Sequence, residues 1–517
     1  MNVLEPRLYQ KNIAETCKKF STLVVLPTGL GKTLIALLVM EDKLKKEKGK
    51  IIFLAPTKPL VEQHFSTVSS FFKDQKVGML TGSKPKDKRL EIWNENMIFV
   101  ATPQVIENDA GTIDIGDASL IVFDEAHRAV GNYAYVNIAE EYKKRREMKG
   151  KRPHTMGMTA SPGSDINKII EVCKNINIER IEIRSDDDQD VSPYISKVYY
   201  DWVRVDLPDE FKEIIRLLKE VYDESVNELK RMGLLRGFGN IVPKKELIKV
   251  GEAIRREQGG WLYHAATTQA IALKIEHGIE LIETQSLVAF NQYFQRLKND
   301  NTKARRTIMK DRRVIQALEM ARSCTTEHKK VEKTCEVVGS QLEERKGSKI
   351  MVFAQYRDSA EQLVGELNRV HEVKAAKFIG QTNKEGDKGL RQKDQIAIMN
   401  KFREGFYNVL VATSVGEEGL DIPNTDMVVF YEPNPSEIRT IQRRGRTGRN
   451  MPGKVVFLIT KGTRDEAFYW SSRRKEKKMK SQLKKLGNEL SENLMKNENE
   501  IKKITKKKTK QLKIDLF

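Results

Sequence analysis

Short apolar runs punctuate the first third of the chain. TLVVL (22–26), IIFLA (51–55), MIFVA (97–101) and LIVF (120–123) are rich in branched side chains and bounded by Gly, Pro, Thr or Asp. Such runs predict strands buried on both faces. Helical periodicity fills the intervals, and strand–helix alternation predicts a parallel sheet covered by helices. A second set has the same grammar: KIMVF (349–353), NVLVA (408–412), DMVVF (426–430) and KVVFLI (454–459). Two α/β domains leave a cleft between them. Ligands in folds of this class sit at the carboxyl ends of the strands.

Between the two sets the grammar changes. Residues 207–340 hold no convincing strand and read as an all-helical insertion. VYYDWVRVDLP (198–208) alternates at the strand period, so 196–206 reads as an edge strand of the second sheet, separated from it by the insertion. The expected organisation is a first α/β domain over 1–195, the helical insertion over 207–340, a second α/β domain over 341–470 and a basic tail over 471–517.

Charge sharpens this picture. The 517 residues carry a formal net charge of +20, and 32% of them are charged. Within 473–517 there are 16 Lys and Arg against 6 Asp and Glu, so this stretch alone holds half of the net charge and reads as a basic helix or an extended arm. A basic balance of this size suits a polyanionic partner, because each cation docked on a phosphate releases condensed counterions. Cys17, Cys173, Cys324 and Cys335 form no CxxC pair and match no zinc module, which suits a reducing compartment. The first residues, MNVLEPRLYQKN, lack the apolar core of a signal peptide, and no apolar run reaches the roughly 20 residues of a membrane span. The expectation is a cytoplasmic protein with no membrane association.

Candidate chemistry centres on LPTGLGKT (26–33), which follows one predicted strand and opens a helix. That context marks a phosphate-binding loop. Gly29 and Gly31 let the backbone curl so that N–H groups face phosphate oxygens. Thr28 belongs to the same loop, Lys32 reaches β- and γ-phosphates, and Thr33 offers a hydroxyl to Mg²⁺. Leu26 stands where the strict motif has its first glycine. VFDEAH (122–127) ends another strand with two carboxylates: Asp124 to hold Mg²⁺, Glu125 to orient and deprotonate water. QRRGRTGR (442–449) crowds four arginines around two glycines, which predicts guanidinium groups converging on one point. Arg446 and Arg449 are the candidate arginine fingers, with Gln442 beside them.

Taken in order, the phosphate loop, DEAH and QRRGRTGR resemble the superfamily 2 helicases over about residues 5–470. The resemblance implies two RecA-like domains that bind ATP and Mg²⁺. It implies that Gln10 in RLYQ, with Arg7, reads adenine. It implies that APTKPL (55–60), LTG (80–82) and ATPQ (101–104) track a nucleic-acid strand through Thr57, Thr81, Gly82, Thr102 and Gln104. TAS (159–161) resembles the block that links hydrolysis to unwinding. FAQYRD (353–358) and ATSVGEEGLDIP (412–423) resemble second-domain motifs, with Thr413 on the strand and Gly419 and Asp421 near the nucleotide. His127 of DEAH is expected to couple the ATP site to the second domain.

Within that superfamily the chain is similar to the archaeal Hef helicases and the Fanconi-anaemia M and Mph helicases. EEGLDIP followed by VVFYEPNPSEIRTIQRRGRTGR carries this similarity, together with the helical insertion. It implies a DNA helicase or translocase that acts on forks and junctions, moves 3′ to 5′, serves replication-fork repair and sits at the nucleoid. Hef proteins also carry a nuclease, but no ERKxxxD-type string occurs in these residues. The expectation is therefore no phosphodiester cleavage by them, with a nuclease supplied by a separate partner. QLKIDLF (511–517) resembles a sliding-clamp (PCNA) peptide through Gln511, Ile514 and Phe517. The aromatics Trp261, Tyr263, Phe290, Tyr293 and Phe294 of the insertion suit either its core or base stacking. Two other readings stay open: an RNA-directed ATPase of the RIG-I and Dicer type, and a non-enzymatic scaffold. Intact Lys32, Asp124, Glu125, Arg446 and Arg449 argue against the scaffold.

Overall fold

The computed structural model describes residues 5–186, 188–235, 242–256, 259–382, 389–416, 422–448 and 452–514, the side chains of 415 and 490–514 excepted. Seven strands build the first lobe: β1 (Thr22–Val25), β2 (Lys50–Leu54), β3 (Val77–Leu80), β4 (Ile98–Ala101), β5 (Ala118–Asp124), β6 (Thr155–Thr159) and β7 (Arg180–Ile183). They form one parallel sheet in the order β3-β4-β2-β5-β6-β1-β7. β1, β4, β5 and β6 are buried along their whole length, as expected for runs with no polar face.

The second lobe adds β8 (Val198–Val205), β9 (Ile350–Phe353), β10 (Ala375–Phe378), β11 (Val409–Ala412), β12 (Met427–Phe430) and β13 (Gly453–Thr460), ordered β10-β11-β9-β12-β13-β8. β8 pairs in parallel with β13 from Val198↔Gly453 to Val205↔Thr460 and closes the edge of that sheet. Its burial reflects this edge place: residues 199–202 are all exposed, and only Val205 is buried.

Helices from Asp209–Arg231 to Arg312–Ser323 form the insertion, with a core of its own that includes Phe211, Leu218, Ile282, Phe290 and Phe294. Of the insertion aromatics, Phe290 and Phe294 are core, Tyr293 is half-buried and donates to the Lys274 carbonyl, and Trp261 and Tyr263 face solvent. The helix Lys329–Glu344 belongs elsewhere. Its Val331, Val338 and Leu342 pack with Ile350 and Val352 of β9, so the boundary expected at 340 falls inside an element of the second lobe. Helical periodicity alone reads the same on either side of such a boundary.

A buried charge network fixes the insertion to the second lobe. Lys330 pairs with Asp465, both side chains fully buried, and also donates to the Thr284 carbonyl. Arg464 holds Glu283 at 2.6 Å and Glu276 at 3.4 Å. Tyr356 donates to Glu280 at 3.1 Å and Tyr431 to the Gln285 carbonyl at 2.7 Å. Breaking one partner of such a network leaves an uncompensated charge, a cost of about 3–5 kcal/mol, so these helices move with the second lobe.

Glu432, at the end of β12, sits beside this network. Burial pushes its carboxyl up to about 7, against the lowering pull of Lys330 and Arg443. The folded value then exceeds the ordinary 4.5. The folded state binds more protons between those values, so stability falls as pH rises from about 4.5 to about 7. We expect Glu432→Gln to raise Tm at pH 8 and to change it little at pH 4.5. Equal shifts at the two pH values would remove this carboxyl as the cause.

The last element, the helix Arg464–Ile514, starts in the second lobe after β13 and crosses to the first. There Met479 and Leu483 join the core that contains Ile169, Val172 and Cys173. Ser161 donates to the Met479 sulfur at 3.0 Å, and Glu476 pairs with Arg444 at 2.8 Å. The basic stretch is thus a helix whose near half binds the lobes together. Leu483 is fully buried, and burying an aspartate there has no partner to offset it. Leu483→Asp is expected to undock this helix, read as new proteolytic cuts within 464–490; an unchanged cleavage pattern would show that the anchor is dispensable.

Candidate ATP site and nucleic-acid track

The loop 26–33 leaves the carboxyl end of β1 and enters the helix Lys32–Lys46. Gly31 is its N-cap at φ +72°, and a Cβ there would lie 2.5 Å from Gln10 Nε2. Only glycine fits both the left-handed conformation and that approach. Gln10 is held at both ends: Nε2 donates to the Leu30 carbonyl at 3.1 Å, and Oε1 accepts from the Arg7 N–H at 2.9 Å. Lys32 Nζ donates to the carbonyls of Leu26 at 2.9 Å and Pro27 at 3.3 Å. The ammonium is thereby held over its own loop, with Thr28, Gly29 and Thr33 around it.

β5 neighbours β6, and β6 neighbours β1, which brings the DEAH carboxylates and the TAS block beside the phosphate loop. Burial alone would raise the Asp124 carboxyl. The hydrogen bond and charge of His64 and the charge of Lys32 outweigh that and hold it below its usual value. An ionised, buried carboxylate facing a phosphate loop suits a divalent cation, with Thr33 as the hydroxyl across from it. His64 Nε2 lies 2.9 Å from Asp124 Oδ2. Sequence reading found no signal at His64. One was present: Val61, His64 and Val68 are the buried positions of the helix Lys58–Phe71, so a histidine occupies the apolar stripe.

Glu125 adopts φ +49°, a strained conformation for a side chain of this size. Its Oε2 is buried without a hydrogen bond among the described residues, although the His127 ring stands 3.3 Å away. A buried, unsatisfied carboxylate oxygen fits a bound water. His127 Nδ1 lies 3.0 Å from Thr159 Oγ1, so one contact of this histidine runs to the TAS block of its own lobe. Thr159 Oγ1 also accepts from the Ser161 N–H at 3.1 Å, which carries the chain of contacts on to Met479 of the crossing helix.

The second lobe meets this site through QRRGRTGR. A Cβ on Gly445 would collide with Thr28 Oγ1, so the backbone of this segment touches the phosphate loop and Arg446 is the next residue. Arg443 and Arg444 do not converge on the phosphate loop. Arg443 is fully buried with its guanidinium 4.9 Å over the Phe353 ring, and Arg444 pairs with Glu476. The helix Glu437–Arg444 explains this divergence: consecutive residues on a helix point about 100° apart. Gln442 is buried on the same helix. Arg449, Gly419 and Asp421 lie outside the described residues. Two aromatics that sequence reading passed over line the remaining cavity of ≈70 Å³, Tyr194 and Tyr200. The Arg7 guanidinium lies 4.8 Å over the Tyr194 ring.

The strand-tracking candidates form a row. Thr81 and Gly82, Thr102 and Gln104, and Thr57 follow β3, β4 and β2, which are adjacent in the sheet. Thr413 follows β11 at the corresponding edge of the second lobe. Their states differ. Gly82 and Gln104 are exposed, and Thr81 is buried with its hydroxyl 2.9 Å from Ser83. Thr413 is buried. The Thr57 hydroxyl is buried without a partner among the described residues. Thr57 and Thr102 are N-caps whose side chains make no cap bond, which leaves the half-buried Thr102 hydroxyl available to a phosphate. Among the described residues no helix is long and apolar enough to cross a membrane. Gln511 and Ile514 fall where only the backbone is described, and Phe517 lies outside the described residues.

Comparison with known proteins agrees with this architecture. The DEAD/DEAH box helicase family matches residues 7–169, and the helicase conserved C-terminal domain matches residues 329–451. A family described as "Putative ATP-dependent RNA helicase, helical bundle" matches residues 210–328. The chain is 44% identical over 488 residues to a Methanocaldococcus jannaschii protein named "Putative ATP-dependent RNA helicase", covering 93% of this chain and 61% of that protein. It is 33% identical to the ATP-dependent DNA helicase mph1 of Neurospora crassa, covering 90% of this chain and 42% of the relative. It is also 33% identical to the DEAD-box ATP-dependent DNA helicase Fancm of Drosophila melanogaster, covering 89% and 33%. The chain therefore spans between a third and three fifths of these relatives. The crystal structure of the Pyrococcus furiosus Hef helicase domain superposes with a TM-score of 0.68 at 47% identity, covering 90% of this chain and 98% of that one. With two parallel-sheet lobes, a helical bundle between them and this degree of identity, the chain belongs to the Hef and Fanconi-anaemia M group of ATP-dependent superfamily 2 helicases, of which it holds the helicase portion.

Proposed function

We propose that this chain is an ATP-driven DNA helicase or translocase that remodels forks and junctions in the repair of replication forks, at the nucleoid. The observation that carries this reading is the row of polar groups that follow β3, β4, β2 and β11, at the same carboxyl end of the strands as the loop 26–33. Groups of that kind hold a strand by its phosphates whatever its sequence. Relatives named as DNA helicases support the choice of DNA.

In this reading Lys32 leaves its loop carbonyls for the β- and γ-phosphates, and Gln10 with Arg7 receives the adenine. Thr33 and Asp124 hold Mg²⁺, which neutralises charge on the phosphate oxygens. Glu125 takes the proton of the attacking water. Arg446 stabilises charge on the γ-phosphoryl group once the lobes have met, and Arg449 lies three residues on in the same motif. Gln442 acts beside Arg446, and Gly419 and Asp421 contact the nucleotide. Lys32→Ala is expected to lower ATP turnover by about 10²–10³-fold, the scale for removing one electrostatic stabiliser, with DNA affinity little altered. Undiminished turnover would remove the loop from the reaction.

The test of the whole reading is the ATPase rate with single strand, duplex, fork and four-way junction, each in DNA and in RNA. Stimulation highest with branched DNA is expected. The second reading, an RNA-directed ATPase of the RIG-I and Dicer type, is favoured by the names of the jannaschii relative and the helical-bundle family. Stimulation by RNA alone would establish it. A sliding clamp bound through Gln511, Ile514 and Phe517, and a separate nuclease partner, complete the proposal. Loss of clamp binding on deletion of 511–517 is the expected outcome for the first.

A further inference from the structure

A basic concavity of ≈470 Å³ lies at the opposite end of the first sheet from the ATP site. Its walls are segments that precede β1, β2, β6 and β7: Lys18 and Lys19, Glu47 to Gly49, Lys151 to His154, and Glu179. Strands of four to five residues separate it from the loop 26–33, a span of about 13–17 Å at 3.3 Å per residue.

Part of its charge is structural. Glu47 holds both Lys43 at 3.0 Å and Arg146 at 3.2 Å, Glu179 pairs with Arg152, and Glu15 holds Lys18 from outside at 2.7 Å. Three helices, Leu8–Lys19, Lys32–Lys46 and Ala134–Met148, also end here, and each carboxyl end carries about half a negative charge. The fold does not neutralise the whole. Seven lysines and arginines line the cavity, the three carboxylates leave four of those charges, and the helix ends offset about 1.5 more. Between two and three positive charges remain. They correspond to Lys19, Lys48 and Lys151, which are exposed and have no ion-pair partner among the described residues. His154 in the floor senses the same field: burial, then the charge of Lys43, lowers its pKa to about 4.

No lining residue holds a buried donor without a partner among the described residues, so nothing here is built to coordinate a small anion in fixed geometry. What is available is a set of mobile ammonium groups on a rim, the form suited to a polyanionic backbone. We propose that this concavity binds the phosphodiester backbone of a second arm of branched DNA while the first arm occupies the track. The proposal rests on the branched-DNA reading above and deepens it.

The test is the triple variant Lys19→Glu, Lys48→Glu, Lys151→Glu in the full chain. Affinities for a four-way junction and for a single strand are measured against salt concentration, beside the unaltered protein. The expected result is a junction slope shallower by roughly 2.7, three contacts at about 0.9 each, with the single-strand slope and strand-stimulated ATPase unchanged. An unaltered junction slope overturns the proposal. So does an equal loss on the single strand, which would mark the lysines as a general field. Failure of the functional reading looks different: the unaltered protein would then be stimulated by RNA alone, while the junction slopes still decide the site.

Discussion

Arg446→Ala is expected to lower kcat for ATP by about 10³–10⁵-fold, the range for an arginine that stabilises phosphoryl-transfer charge. The Cα of Gly445 faces Thr28 so closely that no side chain fits. Its neighbour is therefore carried to the phosphate loop whenever the lobes touch. Arg443 and Arg444 are engaged elsewhere, with Phe353 and Glu476, and stand in for it poorly. The carbonyl of Arg446 accepts from both the N–H and the hydroxyl of Thr425, at 3.0 and 3.1 Å, so the backbone is fixed independently of the guanidinium. Truncation should then leave folding and nucleotide affinity close to normal. The measurement is single-turnover hydrolysis alongside equilibrium nucleotide binding. A kcat within tenfold of the parent would assign the role to another arginine, and Arg449 would be the next to change.

Glu125→Gln is expected to bind ATP with near-parental affinity and to hydrolyse it about 10²–10⁴-fold more slowly, the contribution of a positioned general base. The substitution preserves volume and length, so the positive φ at this residue is no more strained than before. It removes only the proton-accepting oxygen. That oxygen is buried without a hydrogen bond among the described residues, 3.3 Å from the His127 ring, so the substitution removes no hydrogen bond on which folding relies. A variant that is as stable as the parent or more so, yet inactive, would separate chemistry from folding. Rapid hydrolysis by Glu125→Gln would place the base elsewhere.

The two sheets were legible because their strands are short, branched and apolar on both faces. β8 was legible from its alternation, since one sheet edge stays wet. The helix Lys329–Glu344 was misplaced because its period is the same whichever core it faces. In the site, the residues that bind phosphate announce themselves through glycine spacing at a strand-to-helix turn. His64 shows only as a histidine on an apolar stripe; its partner Asp124 is 60 residues away, and only the fold brings them together. The arginines of QRRGRTGR were expected to converge; the helix that ends at Arg444 turns Arg443 and Arg444 apart, and a run of like residues carries no information about that. Tyr194 escaped notice because its partner Arg7 is distant in sequence and stacks on its face, a contact that leaves no periodic trace.

The crossing helix sets a limit on travel. It is rooted in the second lobe by Asp465 and seated in the first by Leu483, 18 residues along a rod that rises about 1.5 Å per residue. A rod held at both points tolerates rotation about its seats but not a change in their spacing. Small strokes keep both ends engaged; a wide gape must unseat the leucine, which costs about 2–5 kcal/mol on the scale of losing a buried leucine side chain. The motor is thereby geared to short steps, with a built-in stop at the end of each.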